Sequence, residues 1–180
     1  MTLGERLLAL HATLERAGLP HAFGGAIALA YATEEPRGTR DLDVNVFVPA
    51  AEAARVIAAL PPGVTCASSD EQALVTAGQA RLWWDDTPID VFLNYAPIHD
   101  KAARHRRLVP FEGQDIPVLG PIELAVFKAM FDRTKDWADI EAMLAADALD
   151  VDAVSRELIS MVGADDPRLA RLAAAAAVAG

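Results

Sequence analysis

A chain of 180 residues with 26 acidic against 16 basic side chains, a formal charge of −10 and a pI near 4.7 lacks the basic field that a broad nucleic-acid binder uses to release phosphate counterions. With 53% hydrophobic residues and a mean hydropathy of +0.20, it carries enough apolar side chains for a sizeable core and is not a disordered segment. The single cysteine, Cys66, excludes an internal disulfide, no Cys/His spacing along the chain suggests zinc, and a reducing cytoplasm is the expected compartment.

Leu3, Leu7, Leu10 and Leu14 recur at helical spacing, so residues 3–17 read as an amphipathic helix; Glu5, Arg6, Glu15 and Arg16 interrupt the apolar run that a targeting signal needs. Gly18-Leu19-Pro20 ends it, and a short strand, His21 to Phe23, leads into the pair Gly24-Gly25 and a helix over 26–32. After a loop holding Pro36 and Gly38, residues 39–48 alternate as a strand, with Thr39, Asp41, Asp43 and Asn45 on one face and Leu42, Val44, Val46 and Val48 on the other. A helix over 50–60 closes at Pro61-Pro62-Gly63, followed by a strand over 64–67 and a short helix over 69–76. Strands 80–84 and 89–93 form a hairpin across Asp85-Asp86-Thr87-Pro88. A helix over 97–107 carries the basic run from Lys101 to Arg107, which reads as a solvated helix face, and strands 108–111 and 116–119 make a second hairpin.

Beyond Gly120-Pro121 only helical periodicity remains, over 122–131, 137–144, 151–162 and 169–178. The chain therefore reads as α+β: a mixed β-sheet with flanking helices over 1–120, then a helical C-terminal part over 121–180 that completes a cleft. The alanine-rich stretch 172–179 is too short to span a bilayer, so no membrane association is expected.

Two carboxylates on one strand face, Asp41 and Asp43, stand about 7 Å apart and repel each other, an arrangement that a divalent cation relieves. Gly24-Gly25 falls where a strand becomes a helix N-terminus, and there bare N–H groups and the helix dipole favour a phosphate. Asp90 lies alone among Ile89, Val91, Phe92 and Leu93 and needs a partner: a shared cation, or an arginine such as Arg81 across the hairpin. His21, His99 and His105 show no metal spacing and are given no role.

The succession Gly24-Gly25, Arg37-Gly38-Thr39-Arg40-Asp41-Leu42-Asp43-Val44 and Ile89-Asp90-Val91 resembles the polymerase-beta-like nucleotidyltransferase superfamily. The downstream segment from Lys128 to Ile140, with Lys128, Asp132, Lys135, Asp136 and Asp139, looks like the lysine and basic-Asp-x-x-Asp motifs of the AbiEii/AbiGii toxin-type branch. The resemblance covers residues 23–144 and implies a nucleotidyltransferase-type mixed sheet. It also implies transfer of a nucleotide monophosphate from an NTP to a hydroxyl, at the 3′ end of a tRNA or on a protein, with pyrophosphate released. In that family Asp41, Asp43 and Asp90 would hold two Mg²⁺ ions, Asp90 doubling as candidate base. Gly24, Gly25, Thr39, Arg40 and Lys128 would contact the nucleotide, and Lys128 and Asp136 would serve catalysis.

A toxin of this branch implies a cognate antitoxin as partner. Gly25 stands where many members have serine, and the helical C-terminal part is short for the branch. On one continuous helix Lys128 would project within about 20° of Asp139 and Lys135. Two other readings stay open: transfer to a small molecule of the aminoglycoside type, and a non-catalytic nucleotide-binding module of the same fold.

Overall fold

Helix α1 (Leu3–Arg16) starts at a capping box: the Thr2 hydroxyl accepts from the Glu5 N–H at 3.1 Å, and the Glu5 carboxylate accepts from the Thr2 N–H at 2.8 Å. Its Leu7, Leu10 and Leu14 are fully buried, as their spacing predicts. Arg6 is buried as well, and its guanidinium reaches a distant turn, with Nη2 2.9 Å from Asp85 and Nη1 3.2 Å from Asp86. The computed structural model describes residues 1–179.

The described chain divides into two compact units, one of residues 1–27 and 38–119, the other of residues 28–37 and the chain from Gly120 onward. In the first unit, β1 (His21–Phe23) leads into α2 (Gly25–Thr33), whose later turns belong to the second unit. β2 (Leu42–Pro49), a single 3₁₀ turn, α3 (Ala53–Ala58), β3 (Val64–Thr65), α4 (Ser68–Ala77), β4 (Gln79–Trp84), β5 (Thr87–Asn94), α5 (Ile98–His105), β6 (Arg107–Phe111) and β7 (Gln114–Val118) follow. Among the described residues these strands form one mixed sheet in the order β3-β4-β5-β2-β1-β7-β6. β2 with β5 and β1 with β7 are parallel, and the other neighbours are antiparallel.

One face of the central strands is the core: Leu42, Val44, Val46, Ile89, Val91 and Leu93 are buried to within 1%. β5 alternates buried and half-buried residues along its length, leaving Asp90 and Phe92 on the opposite face. Leu42 opens β2, so Thr39, Arg40 and Asp41 precede the strand instead of extending its alternation, and of the two paired acids only Asp43 lies on the strand itself. Trp84 pairs with Thr87, so the β4–β5 turn is Asp85-Asp86 alone, not the four residues from Asp85 to Pro88. Asp85 adopts φ +53°, a left-handed conformation that aspartate tolerates in tight hairpins.

In the second unit, α6 (Pro121–Phe131) starts with proline in its first turn and buries every residue from Glu123 to Ala129. It packs against α7 (Thr134–Ala145) and α8 (Val151–Val162), which in turn pack against α9 (Pro167–Ala179). A helix buried on nearly every side belongs at the centre of such an assembly. No glycine or proline separates α6 from α7. The break comes from Asp132, left-handed at φ +55°, whose carboxylate accepts from the Trp137 indole N–H at 2.6 Å. The second oxygen of Asp136 accepts from the Arg133 N–H at 3.3 Å and closes the new helix start.

Candidate active site

The register of the sheet decides which acids meet. Asp43 on β2 is the Cα partner of Asp90 on the parallel β5, and Asp90 is in turn opposite Arg81 on the antiparallel β4. Asp43, Asp90 and Arg81 therefore form a row across three adjacent strands. The Arg81 guanidinium grips Asp90 with both arms, Nε to Oδ1 at 2.7 Å and Nη2 to Oδ2 at 2.6 Å, and Nη2 stands 3.9 Å from Asp41 Oδ2. The bond to Asp90, with the charges of Asp90, Asp41 and Asp43, raises the Arg81 pKa further above its ordinary value. Of the two partners that the sequence offers Asp90, the arginine is the one that it bonds, with Asp43 next to it on the adjacent strand.

Asp41 is fixed from behind. The Thr39 hydroxyl donates to its Oδ1 at 2.6 Å and accepts its backbone N–H at 3.3 Å, so Thr39 orients a carboxylate. Arg40 is exposed. These carboxylates offer only oxygen, the donor set of a hard cation such as Mg²⁺. Arg81 supplies the positive charge that such a set attracts, on a half-exposed side chain.

Gly24 and Gly25 adjoin this row. The Gly24 N–H donates to the Asp43 carbonyl at 2.9 Å and is spent on the sheet. The first N–H groups of α2, beginning with Gly25, have no acceptor within the helix. Gly25 has φ +51°, and a Cβ there would lie 1.9 Å from Asp43 Oδ2. Left-handed backbone and a carboxylate pressed against the turn explain glycine at this position. At Gly24 the nearest atoms to such a Cβ are 3.2 Å and 3.3 Å away, on Leu119 and Asn45.

Lys128 and Asp136 lie in the second unit. The buried Lys128 Nζ is 2.6 Å from Asp139 Oδ2, and the other Asp139 oxygen accepts from Arg37. Helical periodicity separates residues 122–131 from 137–144, and the two helices bring Lys128 and Asp139 together across a break, not along one continuous helix. Asp136 is 2% exposed and its oxygens accept from the Arg133 guanidinium at 2.6 Å and 3.1 Å.

Residue spacing overlooks one further cluster. His11, Glu15 and His21 place a ligand atom each within 4.8 Å of one another. His11 and Glu15, four apart on α1, were a legible helical pair; His21 on β1 is brought in by the fold. Burial pushes the His21 imidazole below its ordinary pKa, only partly countered by its bond to the Leu19 carbonyl.

No protein-family model matches the chain, and no curated protein matches it. Solved structures match along almost its whole length. The solution structure of the antibiotic-resistance factor ANT(2″)-Ia aligns with a TM-score of 0.61 at 12% identity, over 95% of this chain and 95% of that one. The same factor in complex with adenylyl-2″-tobramycin aligns at 0.53 and 12% identity, over 99% and 97%. An antigenic nucleotidyltransferase-like protein from Paracoccidioides brasiliensis aligns at 0.55 and 16% identity, over 94% and 92%. At such identities the likeness is one of fold, and that fold is the α+β, mixed-sheet nucleotidyltransferase type.

Proposed function

We propose that this chain is a Mg²⁺-dependent nucleotidyltransferase that moves a nucleotide monophosphate from an NTP to a hydroxyl acceptor and releases pyrophosphate. The observation that carries the reading is the strand register, which sets Asp43 beside Asp90, with the Arg81 guanidinium gripping Asp90 and lying near Asp41, next to the glycine turn. Asp41, Asp43 and Asp90 would hold two Mg²⁺ ions, which when bound lower the acceptor's pKa and neutralise the leaving pyrophosphate. The N–H groups that open α2 bind the phosphates, and Gly24-Gly25 admits them close to Asp43. Thr39 holds Asp41 in its ligating orientation. Asp90, once Arg81 has swung away, takes the proton of the acceptor hydroxyl as its oxygen attacks the α-phosphorus in line with the departing pyrophosphate. Arg81 is then a cation available to the triphosphate, and Arg40, exposed beside Asp41, is a second. Lys128 and Asp136 keep their assignment as nucleotide-contacting and catalytic groups on the motif alone.

The acceptor divides the reading. The downstream motif favours a toxin acting on a tRNA 3′ end or a protein hydroxyl, with an antitoxin as partner. A chain of net charge −10 with an acidic site face favours a cationic small molecule, and the near-complete overlap with ANT(2″)-Ia supports that second class. Incubation with Mg²⁺, each α-labelled NTP in turn, and three acceptor pools (aminoglycosides, total tRNA, cell lysate) tests it. Label is expected in one pool and is expected to vanish in Asp41→Ala and Asp90→Ala. Folded wild-type protein that labels none of the pools overturns the catalytic reading. Nucleotide binding that raises thermal stability equally with and without Mg²⁺ would instead establish a binding module.

A further inference from the structure

We infer that His11, Glu15 and His21 form a second cation site, for a borderline-soft divalent transition metal such as Zn²⁺, which ties α1 to β1. His11 Nδ1 stands 2.9 Å from His21 Nε2, and the Glu15 carboxylate completes a set of three ligand atoms within 4.8 Å of one another. Two nitrogens bound to one tetrahedral zinc at about 2.0 Å are about 3.3 Å apart, so the pair needs to open by only a few tenths of an ångström.

The site has the outer support that metal histidines carry. His21 Nδ1 is 2.8 Å from the Leu19 carbonyl, which only accepts, so Nδ1 bears the hydrogen and the Nε2 lone pair faces the cluster. His21 is 1% exposed, and the Phe23 ring meets its own ring edge-on at 6.0 Å between centroids, which fixes the ring plane. His11, by contrast, is half-buried and Glu15 exposed, which leaves an entry side and a fourth position for water. Without metal, His11 Nδ1–H donates to His21 Nε2; on binding, that hydrogen moves to His11 Nε2 and Nδ1 becomes the ligand, with no net change in a neutral imidazole. Two imidazoles and one carboxylate suit zinc, cobalt or nickel, in contrast to the all-carboxylate set at Asp41, Asp43 and Asp90.

Such a cation would lock the start of β1, which leads directly into Gly24-Gly25. The role is structural support of the phosphate-binding turn and does not depend on the proposed reaction. The test is titration of the full chain with Co²⁺, read by visible absorption, in wild type, Asp41→Asn, His11→Gln and Glu15→Gln, with circular dichroism to check that each metal-free form is folded. Wild type and Asp41→Asn are expected to show the intense band of tetrahedral cobalt, saturating at one equivalent. The band is expected to disappear in His11→Gln, and affinity to fall by more than about tenfold in Glu15→Gln, the scale on which even outer-shell changes act. Zn²⁺ is expected to raise the melting temperature of wild type and not of His11→Gln. An intense band that survives in His11→Gln, or only the weak absorption of octahedral oxygen-bound cobalt that Asp41→Asn abolishes, or no binding at all, overturns the inference.

Discussion

Replacing Gly25 by alanine asks whether the glycine turn and the carboxylate row are one device. The new Cβ would begin 1.9 Å from Asp43 Oδ2 and 2.6 Å from its Cγ, whereas ordinary contact begins at 3.4 Å, so the carboxylate must retreat by about 1.5 Å. A misplacement of about 1 Å costs a reaction on the order of 10²-fold, so transfer is expected to fall by at least that factor. The left-handed φ of +51° adds about 1–2 kcal/mol of backbone strain. For a chain of this length that corresponds to a fall in Tm of about 2–8 °C.

Two controls separate the effects. Gly113→Ala has φ +83° and no atom within 4 Å, so it carries the strain without touching the acids. Gly24→Ala meets its neighbours only at 3.2 Å and 3.3 Å and needs a few tenths of an ångström of adjustment. The assays are initial rates of labelled-nucleotide transfer and Mg²⁺-dependent thermal stabilisation by nucleotide, with urea melts for stability. Gly113→Ala should show the strain share of the stability loss of Gly25→Ala and keep the wild-type rate. A folded Gly25→Ala protein with a rate within about threefold of wild type, where about 10²-fold loss is required, refutes the reasoning.

Arg81→Gln removes the cation that Asp90 holds and is expected to lower the Mg²⁺ concentration for half-saturation several-fold, measured by calorimetry; weaker Mg²⁺ binding would mean that Arg81 organises the acids instead of competing for them. Asp139→Ala leaves the Lys128 ammonium, whose side chain is 9% exposed, without that carboxylate, and should destabilise by about 3–5 kcal/mol in urea, while Lys128→Met, which removes the charge and keeps the bulk, should cost clearly less. Burial holds the His99 imidazole below its ordinary pKa, so between that lowered value and about pH 6.5 the unfolded chain binds the extra proton. Stability is therefore complete above about pH 6.5 and falls as acid is added; urea unfolding from about pH 7.5 to about pH 5 in chelator should show a smaller slope in His99→Leu.

What the sequence conveyed was whatever a single element carries by itself. The alternation of Leu42, Val44 and Val46 against Asp43 identified a central strand with a polar face, and an acid isolated in the apolar strand from Ile89 to Leu93 called for a positive partner, either a cation or an arginine. The leucines of α1 likewise gave its buried side. What stayed hidden depends on register or on backbone twist. Arg81 was one named candidate for Asp90, yet only the ladder sets Asp43, Asp90 and Arg81 in one row. The reason for glycine at position 25 is visible only once Asp43 is seen pressing on it. The break at Asp132-Arg133 lacks the glycine or proline that marks such breaks, because side-chain caps make it. His11 and His21 are ten residues apart on different elements, so no spacing rule joins them.

The sheet is stitched along a narrow hem. Among the described residues β1, three residues long, lies between the broad leaf β3-β4-β5-β2 and the small leaf β7-β6, and on the latter side its ladder has the single pair Phe23 and Val118, continued by a bond from the Leu119 N–H to the Phe23 carbonyl at 2.9 Å. So short a seam yields before either leaf does, and amides of β6 and β7 should exchange with solvent at a lower opening energy than those of β2 and β5. The carboxylates sit on the broad leaf, so opening at this seam is expected to leave the pairing of β2 with β5 intact.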